Sequence, residues 1–127
     1  MNLEKVVFAF FIVFAATLNF GFFIGDIERP ELHNVYELFA AIVVNMIATV
    51  LKFGDRTQIG AVHLSTSLVA DIQLIAAAVT WALAVHVTGT GMTADVTASV
   101  VSLSGGALLA NIISVVILIV ETVMMRR

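Results

Sequence analysis

Asp71 is the residue of this sequence best placed to do chemistry, an acid inside an otherwise apolar run, GAVHLSTSLVADIQLIAAAVTWALAVHV (Gly60–Val87). A charge within a hydrocarbon layer costs at least a few kcal/mol, so it needs a partner, water or a proton. Two roles fit: an ion- or proton-binding acid, or a polar contact that glues helices together. His63, Ser67 and Asp71 recur at i, i+4 and i+8 and so share one helix face. Thr66, Gln73 and Thr80 recur at sevens on a different face, suited to bonds between helices. A helix beginning at Ala61 puts Asp71 ten residues in, about 15 Å along the axis. That is near the middle of a hydrocarbon core about 30 Å thick. A start near Ser67 would instead leave it close to the interface.

Further polar residues are spread thinly over the rest of the chain. Asn19, Asn45 and Asn111 each bring one amide to an apolar segment. Asn45 and Asn111 fall near mid-depth and with Asp71, Gln73 and Ser67 are expected to form an ion pathway or a buried polar cluster. In the last segment Ser104, Asn111, Ser114 and Glu121 fall within an arc of about 100°, and Glu121 is expected near a mouth. Asp26, Glu28, Glu31, His33 and Glu37 lie within twelve positions of one another and form an acidic loop. Such a loop concentrates cations, but its spacing matches no defined metal motif, and no metal site is expected.

The elements that must hold these residues follow from composition. Of 127 residues, 61% are hydrophobic and 12% charged, with no Cys, against about 45–50% apolar and 25% charged in soluble domains. The apolar residues come in runs long enough to cross a bilayer. Spans are expected over about 3–24, 34–53, 61–87 and 94–125, within a single transmembrane domain of residues 1–127. The first span has an apolar stretch longer than the roughly 7–15 residues of a signal peptide core. The fourth is longer than a span needs, and Gly105–Gly106 is where a kink is expected. Lys5, Lys52, Arg56, Arg126 and Arg127 fall at one side of this arrangement, which assigns both termini and the GDRTQIG turn (Gly54–Gly60) to the cytoplasm. The fold expected is therefore all-α, a membrane-embedded bundle of four transmembrane helices, N-in and C-in.

No phosphate-binding loop, paired histidines or Ser/His/Asp set argues for catalysis, and no basic patch argues for nucleic acid. The expectation is a protein that is not an enzyme and carries no cofactor. Across Asn34–Ala78 and SLSGGALLANIISVV (Ser102–Val116) the chain resembles small four-span bacterial inner-membrane proteins of an uncharacterised family, a domain of unknown function. The resemblance covers nearly the whole chain. It implies a multi-pass protein of a bacterial plasma membrane and carries over no activity or site residue. Two functions are consistent with the residues. One is a small oligomeric cation or proton channel or transporter using Asp71. The other is a non-catalytic accessory or scaffold subunit of a larger membrane complex. The partners expected are lipid, further copies of the chain, and another membrane protein in the second case.

Overall fold

The structure, a computed structural model, describes residues 3–24, 35–55 and 57–125. Among them all regular structure is helical: α1 (Leu3–Phe23), α2 (Val35–Lys52), α3 (Gln58–Ala82), and α4 (Ala94–Met125), with a π-helical turn at Leu83–Val87 continuing α3. All four helices are long and apolar enough to cross a membrane. The acidic-loop residues Asp26, Glu28, Glu31 and His33 lie outside the described residues, as do Arg56, Arg126 and Arg127.

Each helix packs on its neighbour in sequence, and α4 closes back on α1. Lys5 of α1 meets Glu121 of α4 at 2.9 Å, and Phe8 of α1 meets His63 of α3. Lys52 at the end of α2 meets Asp55 in the turn before α3. The starts of α1 and α3 and the ends of α2 and α4 therefore share one end, here called the charged end. At the opposite, far end Trp81 packs edge-on against Phe39 and His86. Successive helices run antiparallel, up and down.

Side-chain placement reverses the soluble pattern. Val43, Met46 and Val50 of α2, Ile72, Ile75 and Val79 of α3, and Leu109, Ile112 and Val116 of α4 are exposed, as lipid-facing positions are. Asn19, Asn45, Thr49, His63, Ser67, Asp71, Thr97, Ser104, Asn111 and Ser114 are buried. The apolar core divides unevenly. A larger cluster that includes Phe22, Leu38, Leu74, Ala77 and Val100 fills the far half, and a smaller one of Phe8, Ile12 and Ala48 lies toward the charged end.

One detail differs from the sequence-based expectation. α3 begins three residues earlier than Ala61, because Thr57 caps it by accepting from the Gly60 amide at 2.9 Å. Asp55 secures that cap, its Oδ1 accepting from the Thr57 amide at 3.0 Å and the Thr57 hydroxyl at 2.7 Å. These bonds hold the Asp55 carboxyl below the ordinary aspartate range, the Thr57 hydroxyl contributing most. α4 is continuous α-helix through Gly105–Gly106. Its glycines admit side chains of neighbouring helices: a Cβ at Gly105 would meet the Phe23 ring, and one at Gly106 the Gln73 carboxamide.

At the far end α3 closes in a wider turn. The Thr88 amide reaches back five residues to Leu83 O at 2.8 Å, and the Thr88 hydroxyl bonds the same carbonyl at 3.2 Å. Gly89 and Gly91 follow with φ of 72° and 73°, a left-handed backbone that glycine adopts without steric cost.

Candidate functional site

The cap at Thr57 fixes the depth of everything along α3. Asp71 comes thirteen residues after Gln58, about 20 Å along the axis. The whole span, Gln58–Val87, is 30 residues, so Asp71 sits near its middle. Because Cβ atoms tilt toward a helix's N-terminus, its carboxylate reaches back toward the charged end, onto α2.

There it meets two donors, one for each oxygen. Asn45 Nδ2 donates to Asp71 Oδ1 at 2.6 Å and also lies 3.2 Å from the Ser67 carbonyl. Thr49 Oγ1 lies 2.6 Å from Asp71 Oδ2 and 3.0 Å from the carbonyl of Asn45. Asn45 and Thr49 are one turn apart on α2, so one helix face presents both groups to the acid. Among the described residues no cationic side chain pairs with Asp71.

The Thr49 hydroxyl gives this site a particular property. It carries one hydrogen and two lone pairs, and two oxygens stand within reach of it. With Asp71 ionised, Thr49 donates to the carboxylate. With Asp71 protonated, the acid donates to Thr49, which turns its own hydrogen to the Asn45 carbonyl. Both protonation states are bonded without moving a heavy atom. A buried acid that is satisfied either way is suited to taking up and releasing a proton.

Toward the charged end the polar face continues. His63 is fully buried, two turns from Asp71, and its Nδ1 lies 2.7 Å from Ser114 Oγ of α4. The Phe8 ring stands edge-on to the imidazole, with centroids 5.0 Å apart. The Lys52 ammonium lies over the same ring, 4.2 Å from its centroid, a cation–π contact. Phe8 also lines a cavity of about 650 Å³ at the charged end, together with Glu4, Lys5, Lys52, Asp55 and Glu121. The order from that end is thus cavity, Phe8, His63, Ser67, Asp71.

The residues singled out from sequence fall into three places. Asp71, Asn45 and Ser67 come together as described. Asn111 is fully buried on α4, yet neither its Nδ2 nor its Oδ1 has a partner. Gln73 and Glu121 lie elsewhere. Gln73 crosses Gly106 of α4 on another face, and Glu121 pairs with Lys5 at the cavity. Glu37 reaches over Gly21 of α1 toward the far end. Among the described residues Thr66 and Thr80 make no bond to another helix and donate to carbonyls of their own helix, His63 O and Ala76 O. Asn19 is satisfied: with its nitrogen toward Ser104 it donates to Ser104 O and Oγ at 3.1 and 2.8 Å and accepts from the Leu108 amide at 2.9 Å.

Thr49, His63 and Ser114 also belong to the site, and the sequence marks them only as members of polar stripes: His63 with Ser67 and Asp71, Ser114 with Asn111, and Thr49 one turn from Asn45 on the same face. Among the described residues no group of acids and histidines is arranged to hold a metal ion.

Residues 32–122 match the model of a family described as a family of unknown function (DUF6394). No curated protein and no solved structure matches the chain.

Proposed function

The chain belongs to that family of unknown function, and from this premise we propose that it moves a proton or a small cation across a membrane, with Asp71 as the ion-binding acid. One observation carries the proposal: Asp71 is buried between Asn45 and Thr49 in an arrangement that bonds the acid both charged and neutral. The polar face leading back through Ser67 and His63 to the charged-end cavity supplies an approach. Beyond Asp71 the far-half cluster of Phe22, Leu38, Leu74, Ala77 and Val100 is apolar, so in this conformation the polar approach to the acid lies on one side only. A full crossing then requires that half to rearrange. Asn45, Thr49 and Ser67 hold and orient the acid, and Glu121 sits beside the entrance.

The Lys-bearing charged end is assigned to the cytoplasm, because Lys5 and Lys52 lie there and short cytoplasmic loops are rich in Lys and Arg. Both termini then face inward, in a bacterial plasma membrane. The acid is enclosed within one chain, so the proposed path does not need a second copy to line it; self-association would serve packing in the bilayer.

A second reading is favoured by the same bonds. Asn45 and Thr49 tie α2 to α3 through Asp71, and an acid so used is a helix contact, as in an accessory or scaffold subunit. Purified protein in liposomes separates the two. On the transport reading, an imposed pH gradient or potential drives flux that Asp71→Asn abolishes while the bundle still assembles. Absence of flux, or flux indifferent to Asp71→Asn, contradicts it. Loss of folded protein in Asp71→Asn with no flux in the wild type is the outcome expected of the helix contact.

A further inference from the structure

Between His63 and Asp71 the bundle holds buried polar atoms with nothing to bond. They are His63 Nε2, Ser67 Oγ, Asn45 Oδ1, and both Nδ2 and Oδ1 of Asn111. Register gathers most of them at one level. The contact of His63 with Ser114 sets α3 and α4 face to face, and the two helices run antiparallel. One turn farther from the charged end come Ser67 on α3 and Asn111 on α4. Asn45 joins that level from α2, through its bond to the Ser67 carbonyl.

Each unmet group costs about 1–3 kcal/mol if left dry. The groups are of both kinds: Asn45 Oδ1 and Asn111 Oδ1 accept, Asn111 Nδ2 donates, and Ser67 does either. A metal ion would satisfy the oxygens and be repelled by the amide hydrogens. Water satisfies both, and buried water is the usual partner of such groups.

We propose that internal waters occupy this level and connect His63 to Asp71, which makes the proton the transported ion and His63 its relay. This rests on Asp71 being the exchanging acid. His63 and Asp71 are eight residues apart on α3, about 12 Å along the axis, beyond direct transfer. A hydronium arriving from the charged-end cavity gives its proton to Ser114 Oγ as that hydroxyl passes its own hydrogen to His63 Nδ1, 2.7 Å away, forming the imidazolium. The ring then loses its Nε2 proton to the adjoining water and is neutral again as the other tautomer. The water chain delivers one proton to the Asp71 carboxylate. Phe8 separates the cavity from His63, so its ring must swing for the proton to enter. Among the described residues the charged groups around that entrance are Lys52 of α2, Glu4 and Lys5 of α1, Glu121 of α4 and Asp55 of the turn before α3.

The test uses the labelled full chain in lipid bilayers. In water-edited solid-state NMR, His63 Nε2 and Asn111 Nδ2 should receive magnetisation from water as fast as groups lining the cavity. Both sites dry would overturn the proposal, whatever the flux. In liposomes, His63→Gln should slow proton flux at least ten-fold and change its pH profile, and exchanging Na⁺ for K⁺ should leave the wild-type rate unaltered. Asn111→Leu, which replaces an unpaired amide with an apolar side chain, should fold as well as the wild type and conduct less. Wild-type flux and pH profile in His63→Gln would remove His63 from the path. A hydrated His63 with no Asp71-dependent flux would overturn the transport reading while leaving the water site standing.

Discussion

The two halves of this bundle are built from the same four helices and have opposite interiors. In the far half Phe22, Leu38, Leu74, Ala77 and Val100 fill the centre, and the polar pair within reach, Asn19 with Ser104, has its bonds met. A single buried hydroxyl among the described residues there, Thr97 Oγ1, has no partner. Toward the charged end His63, Ser67, Asn45 and Asn111 take the central positions, and several of their atoms have no partner. Asp71 stands where the two meet. Apart from Thr97, the far half is what packing alone would select. The other half carries polar groups that packing does not need, and surplus of that kind marks a place where something passes or binds.

This contrast predicts how the halves respond to substitution. Leu74→Ala, in the far half, opens a cavity in a close-packed region and should lower stability by about 2–5 kcal/mol, seen as a large fall in thermal midpoint in detergent. Ser67→Ala, two turns away but with no partner for its hydroxyl, should cost less than about 1 kcal/mol. Equal losses would erase the distinction.

Asn45→Ala is the intermediate case. It strips a donor from Asp71 Oδ1 and should cost about 1–3 kcal/mol, with a coupling to Asp71→Asn in a double-mutant cycle. Strict additivity of the two would mean that the 2.6 Å contact does not matter.

Gly106→Ala should cost about 1 kcal/mol, because the added methyl falls on the Gln73 carboxamide. Gln73→Ala in the same chain should remove that penalty, and flux should be unaffected, since Gln73 lies off the polar face. A loss of flux in Gly106→Ala would bring α4's glycines into the path.

The smallest effect is one of pH. Asp55 has its carboxyl lowered by the Thr57 hydroxyl and amide. A lowered folded-state value contributes stability above the ordinary aspartate range, and that contribution is lost as pH falls below about 4. Thermal unfolding from pH 7 downward should show the loss, and Asp55→Ala should flatten it. An unchanged profile in Asp55→Ala would mean that the cap at Thr57 does not need its acid.

Much of this molecule was legible in its sequence, for reasons that can be named. Long apolar runs punctuated by short polar turns give the four helices within a few residues, because a bilayer leaves the chain few alternatives. α3 starts three residues before the apolar run indicates, since the cap depends on side chains, Thr57 and Asp55, that lie ahead of that run. Asp71 could be found as an isolated acid, and Asn45 by its depth. Gln73 joins the expected cluster by its depth, yet it stands on a different face, since two positions on a helix turn a side chain through about 200°. Asn111's lack of a partner could not be foreseen, because it depends on what faces it from the other helices. His63 was visible as part of a stripe, and only its contacts with Ser114 and Phe8 give it a place in a path.

The central claim is that Asp71 exchanges a proton with water from within the bundle. Infrared difference spectroscopy on the reconstituted chain, stepping pH in H₂O and then in D₂O, reads this directly. The account predicts a carboxyl band that appears and disappears with pH, shifts in D₂O, and is absent from Asp71→Asn. A spectrum with no such band, or a band that neither titrates nor shifts in D₂O, would contradict it.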